Sequence, residues 1–600
     1  MPTPRSLPRT LLRHQPRLTR SLATASPTPA ARRTAFDIGL LGAGGAVLTA
    51  LLLWRSGGKQ EDMGVHSNEG ERTSFTVPVV EQTGGASTKT LTLLTQSEAN
   101  DRLKENEASF AVSRRNNPLL RYDTNNLASN SPIEDDSCCV ILERDSASKV
   151  KGDLVFFGVF DGHSGWQTSR LLSSSLVSYV AKELDSVFRG VDDYSSLLPS
   201  PSSPSSKSSS VWSMFTHAPP PIKPQLDQHD PVMQQALKNA FSKMDQEIVS
   251  APVRLLDKLQ KEGKLPSMSV SNGIGVEQSA ALSALLPALS GSCALLAFLD
   301  AGRNKLHVAC TGDSRAVMGV WVPDGKGGGK WRVEALSEDQ TGKNPNEVKR
   351  VQSEHPPNEA NTVIARGRVL GGLEPTRAFG DARYKWPPGT QQKLAAAFHP
   401  GSVRGPPRNY LTPPYVTATP EVATVDLSAD RAQTRKSIGS FLPVSSPEEP
   451  PATRFVVLAT DGLYDRLNND EIVSLVGAHL CGVRGTQSRS SVLSHSVDPS
   501  AANPTYASHA PRQEPMRGEG EVFTFEDGNL STHLIRNSLG GAKRDQVSVL
   551  LSIPAPLSRR YRDDITCTVM LLGDPARDGE GGSGGVYRRE EAFEPIKAKL

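Results

Sequence analysis

Six hundred residues, 37% hydrophobic and 22% charged, with a formal net charge of +3, suffice for a large core and carry no basic excess of the kind that marks a nucleic-acid surface. The six cysteines show neither Cys-x-x-Cys nor zinc-ligand spacing, so neither a disulfide framework nor a structural zinc site is implied.

Residues 1–35 hold seven arginines and no acid, interleaved with Ser, Thr, Leu and Pro. That is the composition of a mitochondrial presequence; the alternative is a basic tail. Taking those seven from the net charge of +3 leaves −4, so the remaining body is mildly acidic. Residues 36–55 follow as a transmembrane or sorting segment. Within them Ile38 to Trp54 is an uncharged run of seventeen, closed by Arg55, at the short end of what a span requires. As an inner-membrane anchor with its basic end in the matrix, it would leave the body in the intermembrane space; the alternative is a cleaved part of the presequence. Residues 56–94 are expected to be a linker, and 95–575 one domain interrupted by polar, disordered inserts near 194–225, 427–453 and 483–519.

Inside the domain, Gln167 to Leu184, Met233 to Val253 and Glu471 to Leu480 carry apolar residues at helical spacing, while Ser292 to Asp300 and Asn304 to Cys310 predict a hairpin. Strands mixed with long helices make the chain α+β. Residues 576–600 are a polar tail. It ends on Ala598-Lys599-Leu600, similar to the Ser-Lys-Leu peroxisomal address that an import receptor reads.

The chemistry lies at strand ends. Val155 to Phe160 is an apolar run that stops on Asp161-Gly162-His163. A second run, Phe455 to Ala459, is followed by Thr460-Asp461-Gly462, and a third, Ile565 to Leu572, is preceded by Arg562-Asp563-Asp564. Leu306 to Cys310 is followed by Thr311-Gly312-Asp313-Ser314-Arg315. Either these are unrelated turns, or the fold gathers Asp161, Asp461 and Asp563 into an oxygen-rich cage for two hard cations such as Mg²⁺ or Mn²⁺.

Further pieces occur between these: Glu134-Asp135 after Pro132, Ser290-Gly291-Ser292-Cys293-Ala294, Leu336-Ser337-Glu338-Asp339, Thr376-Arg377-Ala378-Phe379-Gly380-Asp381 and Ala459-Thr460-Asp461-Gly462-Leu463-Tyr464-Asp465. In this order they resemble the type-2C family of metal-dependent Ser/Thr protein phosphatases. Glu105-Asn106-Glu107-Ala108-Ser109-Phe110, Asn130 to Asp135 and Pro414-Tyr415-Val416-Thr417-Ala418 are similar to its mitochondrial pyruvate dehydrogenase phosphatase branch and fungal relatives.

The resemblance implies two antiparallel β-sheets packed as a sandwich, with helices on both sides. It implies that Asp161 bridges two metals, that the Gly162 carbonyl binds one, and that Asp461 and Asp563 complete the cage. Glu134 and Asp135 hold metal-bound waters or ligate directly, and Asp313 and Asp465 match a looser third site sharing Asp461. His163 is implied as general acid for the departing Ser or Thr oxygen. Two positions depart from the pattern: Asn130 stands where many members have a phosphate-binding Arg, and Gln340 where His is common. The branch's substrate, phosphorylated pyruvate dehydrogenase, is a matrix protein, which an enzyme facing the intermembrane space would not meet.

Two rival readings remain at this point. Cys138 and Arg144 have the Cys-x5-Arg spacing of thiol phosphatases, although the apolar interval lacks the glycine-rich loop that cradles phosphate. A catalytically dead, membrane-tethered scaffold is the other; it would be expected to lose the metal carboxylates, and these are all present.

Overall fold

The computed structural model describes residues 73–80, 86–144, 150–189, 229–264, 276–324, 326, 328–398, 405–428, 453–497, 521–573 and 585–588. Two antiparallel sheets form the centre. The five-stranded sheet runs, in spatial order, Glu421–Asp426, Lys305–Thr311, Ala294–Asp300, Leu154–Phe160 and Asp136–Leu142. The seven-stranded sheet runs Gly329–Ala335, Arg315–Pro323, Arg454–Ala459, Ile565–Leu572, Leu119–Leu127, Ala108–Ser113 and Gly585–Arg588.

Successive side chains of a strand point to opposite faces, and the apolar runs use both. Val155, Phe157 and Val159 face Ala316, Met318, Val456, Leu458 and Met570 across the space between the sheets. Phe156 and Phe160 point the other way, onto Leu172, Leu176 and Val180 of the helix Gln167–Arg189. Val317, Phe455 and Val457 cover the outer face of the second sheet with Ile472, Leu475 and Leu534. The expected sandwich with helices on both sides is therefore present, and strands buried on both faces explain why the runs are continuously apolar rather than alternating.

The helix His229–Lys261 extends beyond the expected span at both ends and carries Pro252 internally. The expected hairpin forms, with strands Ala294–Asp300 and Lys305–Thr311.

Three boundaries differ from expectation. Within 56–94, Ser74–Val80 pairs with Ala86–Thr92; Phe75, Val77 and Leu91 bury themselves against Ile553. Within 483–519, Gly485–Ser488 pairs with Val522–Phe525, and the short helix Arg489–Leu493 follows. In the tail, Gly585–Arg588 adds an edge strand to Ala108–Ser113. The segments 1–35 and 38–54, the insert 194–225 and the C-terminal tripeptide lie outside the described residues. Among the described residues no helix is long and apolar enough to cross a membrane.

Candidate metal centre

The acidic residues singled out from the sequence sit on five separate pieces of backbone. Glu134 and Asp135 precede the strand Asp136–Leu142, Asp161 follows Leu154–Phe160, and Asp313 occupies the turn between Lys305–Thr311 and Arg315–Pro323. Asp461 opens the short helix Asp461–Tyr464, and Asp563 precedes Ile565–Leu572. Asp161, Asp313 and Asp461 each bring a carboxylate oxygen within 4.8 Å of the other two. Asp465, one turn past Asp461, is exposed and is not in that group.

Thr460 ties three of these pieces together. Its N–H donates to the Thr566 carbonyl at 3.1 Å, its hydroxyl accepts from the Thr566 N–H at 2.9 Å, and that hydroxyl donates to Asp135 Oδ2 at 2.9 Å. Gly162 and Gly462 answer to close packing: a Cβ would lie 2.1 Å from the Glu134 carbonyl oxygen and 2.2 Å from that of Asp564, respectively.

Burial, and then the charges of Asp461, Asp135, Asp563 and Asp313, push Asp161 well above the usual carboxylate range. Asp135 is driven up by burial and by Asp564 and Asp563, and Asp563 by burial and Asp461. Burial also raises Glu134, against the Gly165 N–H that Oε1 accepts at 2.7 Å. Carboxylates pressed together this way repel strongly unless protons or cations intervene. An all-oxygen set of this charge fits hard divalent cations.

His163 stands beside the acids, on the two-residue strand Gly162–His163. That strand pairs with Gly291–Ser292, which in turn pairs with Phe379–Gly380. The small sheet brings His163 Nε2 to 2.6 Å from Asp381 Oδ2. Gly291 leaves the room for this contact: a Cβ there would lie 2.1 Å from His163 Nε2 and 2.3 Å from Asp381 Oδ2. Burial disfavours the imidazolium, but the Asp381 charge and hydrogen bond outweigh it and hold the His163 pKa above its ordinary value.

Several positioning groups escaped the sequence reading. The nearly buried Asp564 carboxylate accepts from the N–H groups of Ser129, Asn130 (2.9 Å) and Glu134 (2.9 Å), and from Asn130 Nδ2 at 3.0 Å. It thereby clamps the loop carrying Glu134 and Asp135, and Asn130 is spent on that clamp. Gln340 accepts from the Gly312 N–H at 2.7 Å and donates to the Cys310 carbonyl at 3.1 Å, fixing the turn that bears Asp313. Arg315 grips Asp339 with two nitrogens, at 2.9 and 2.6 Å, which accounts for two of the motifs structurally. The doubled acid at 563–564 and the Gly-Asp at 380–381 were visible, but nothing local tells a clamp from a ligand.

The thiol alternative fails on geometry. Cys138 and Cys139 lie on a strand fully paired with Leu154–Phe160, and Arg144 is engaged by the buried Asp300 at 2.5 Å. Burial pushes both thiols up, Cys139 to about 12, so neither is a ready nucleophile.

Residues 232–434 match the family described as protein phosphatase 2C. The mitochondrial pyruvate dehydrogenase (acetyl-transferring) phosphatase 1 of Saccharomyces cerevisiae is 34% identical over 496 residues, covering 80% of this chain and 73% of that protein. A protein phosphatase 2C homolog of Schizosaccharomyces pombe is 35% identical over 473 residues, 79% of this chain and 84% of the relative. The bovine pyruvate dehydrogenase phosphatase 1 is 32% identical over 516 residues, 81% and 84% of the two chains. With these relatives covering most of both chains, and the family's acidic motifs gathered at the ends of two packed sheets, this chain belongs to the protein phosphatase 2C family of metal-dependent Ser/Thr protein phosphatases.

Proposed function

We propose that the chain hydrolyses phosphoserine and phosphothreonine at a dinuclear Mg²⁺ or Mn²⁺ centre held by Asp135, Asp161, the Gly162 carbonyl, Asp461 and Asp563. Glu134 would order water at its edge, and Asp313 and Asp465 would serve a looser third cation. The observation that carries this reading is the convergence of mutually repelling carboxylates from five backbone segments, a set that a pair of divalent cations would neutralise. Bound cations would supply an activated water and charge neutralisation at phosphorus.

The chain's own residues supply orientation and a proton. Asp135 is turned by the Thr460 hydroxyl, and the loop holding Glu134 is drawn in by Asp564. Asp381 engages His163 at Nε2, leaving Nδ1 as the atom from which a proton would pass to the departing Ser or Thr oxygen.

The relatives' names support phosphorylated pyruvate dehydrogenase as the substrate. Together with the arginine-rich residues 1–35, they support a mitochondrial destination. A matrix enzyme would meet that substrate, whereas an inner-membrane anchor at 38–54 facing the intermembrane space would not. Ala598-Lys599-Leu600 supports a second, peroxisomal delivery through its import receptor.

The test is phosphate release from a phosphopeptide with Mn²⁺ or Mg²⁺, then with chelator, beside Asp161→Asn. Release that needs metal and is lost in the variant is expected. Near-wild-type turnover by a folded Asp161→Asn protein would refute the site assignment.

A further inference from the structure

Asn130 stands where a phosphate-binding Arg would be expected, and its side chain is turned inward onto Asp564. A neighbouring turn carries cationic side chains. Leu557–Arg560 is a single 3₁₀ turn, and its Ser558 hydroxyl donates to the Ser129 carbonyl at 2.5 Å. This bond fastens the turn to the residue beside Asn130. The next residue, Arg559, forms an ion pair through Nη1 with Asp563 Oδ2, yet its side chain remains 49% exposed. Its charge also acts on Asp461, Asp161 and Glu134. Arg562, in the same segment, is buried and cannot present itself to a substrate.

We infer that Arg559 binds the substrate's phosphoryl group, taking from the adjacent turn the role left open by Asn130. A guanidinium has five N–H donors in a planar fork, so one ion pair with Asp563 leaves donors for phosphate oxygens. Pairing with a carboxylate also keeps the fork oriented before substrate arrives. The inference rests on the phosphatase reading of this site.

The experiment is calorimetric titration of the manganese-loaded full chain with inorganic phosphate, together with KM and kcat for a phosphopeptide. Arg559→Ala, Arg559→Lys and Arg560→Ala are compared, each at metal concentrations saturating that variant. Arg559→Ala is expected to weaken phosphate at least tenfold and to raise KM by a similar factor. Lys should restore part of this, and the exposed neighbour Arg560→Ala should match wild type. Phosphate affinity and KM unchanged in Arg559→Ala would overturn the inference. So would a loss that tracks only a weakened metal midpoint, since Arg559 would then merely tune Asp563, or a wild-type chain that binds no phosphate. Arg559-dependent phosphate binding without wild-type turnover would uphold the anion site while sinking the phosphatase reading.

Discussion

Asp564→Asn tests whether the clamp on the Glu134–Asp135 loop works as described. The carboxylate is 2% exposed and takes four hydrogen bonds, two at each oxygen. An asparagine keeps one acceptor oxygen and turns an NH₂ group toward two donors. Two charge-assisted bonds at about 1.5 kcal/mol each, the low end for bonds to charged groups, give a loss of about 3 kcal/mol. One effect opposes this: the Asp564 charge raises Asp135 and Glu134, so neutralising it relieves some repulsion. The direct contacts at about 2.9 Å set the larger effect, and the relief of repulsion makes about 3 kcal/mol an upper value. The expected shift of the urea midpoint is about 1 M, for an m-value of about 3 kcal/mol/M. Because the loop carries the expected ligand Asp135, the metal midpoint for activity should weaken about tenfold, as when an outer-shell partner is lost. A variant within about 0.5 kcal/mol of wild type, the usual scatter of neutral substitutions, with an unmoved metal midpoint, would refute the clamp.

Two other outcomes follow from contacts elsewhere in the fold. Gly291→Ala places a methyl 2.1 Å from His163 Nε2, so the imidazole must leave Asp381; kcat should fall about 10²- to 10⁴-fold with the fold intact, and a near-wild-type kcat would refute the role of the pair. Glu347 is buried, and although burial would raise it, the Arg377 and Arg350 guanidiniums win and hold it at about 2 against an ordinary 4.5. A depressed carboxylate stabilises above its unfolded value, so the contribution of about 3 kcal/mol is complete above pH 4.5 and fades as pH falls toward 2. The gap in unfolding free energy between wild type and Glu347→Gln should therefore close across that window, and a gap independent of pH would contradict it.

Much of this protein could be read from residue order alone. Continuous apolar runs ending on Asp-Gly announced central strands with carboxylates at their mouths, because a strand buried on both faces is built mainly of apolar side chains until it leaves the core. The helical periodicities were right in position and short in length, since helix ends depend on capping and packing more than on pattern. The pairing of Phe75 with Leu91 and of Val77 with Lys89, and the late edge strand at 585–588, were missed. Their short alternating or polar stretches become strands only when a partner supplies hydrogen bonds.

The motif residues were legible one by one, but only the fold shows which of them meet. Asp563 and Asp564 are chemically identical neighbours; chain direction at the mouth of the strand turns one toward Asp461 and the other toward the loop at 129–134. Likewise Asn130 looked like a deficit in sequence and is a clamp in space, and the turn bearing Arg559 is fastened to its neighbour Ser129 from more than four hundred residues away. Local sequence determines which groups are present and which segments are strand or helix. Which groups meet is decided by sheet order and register, which are properties of the whole chain.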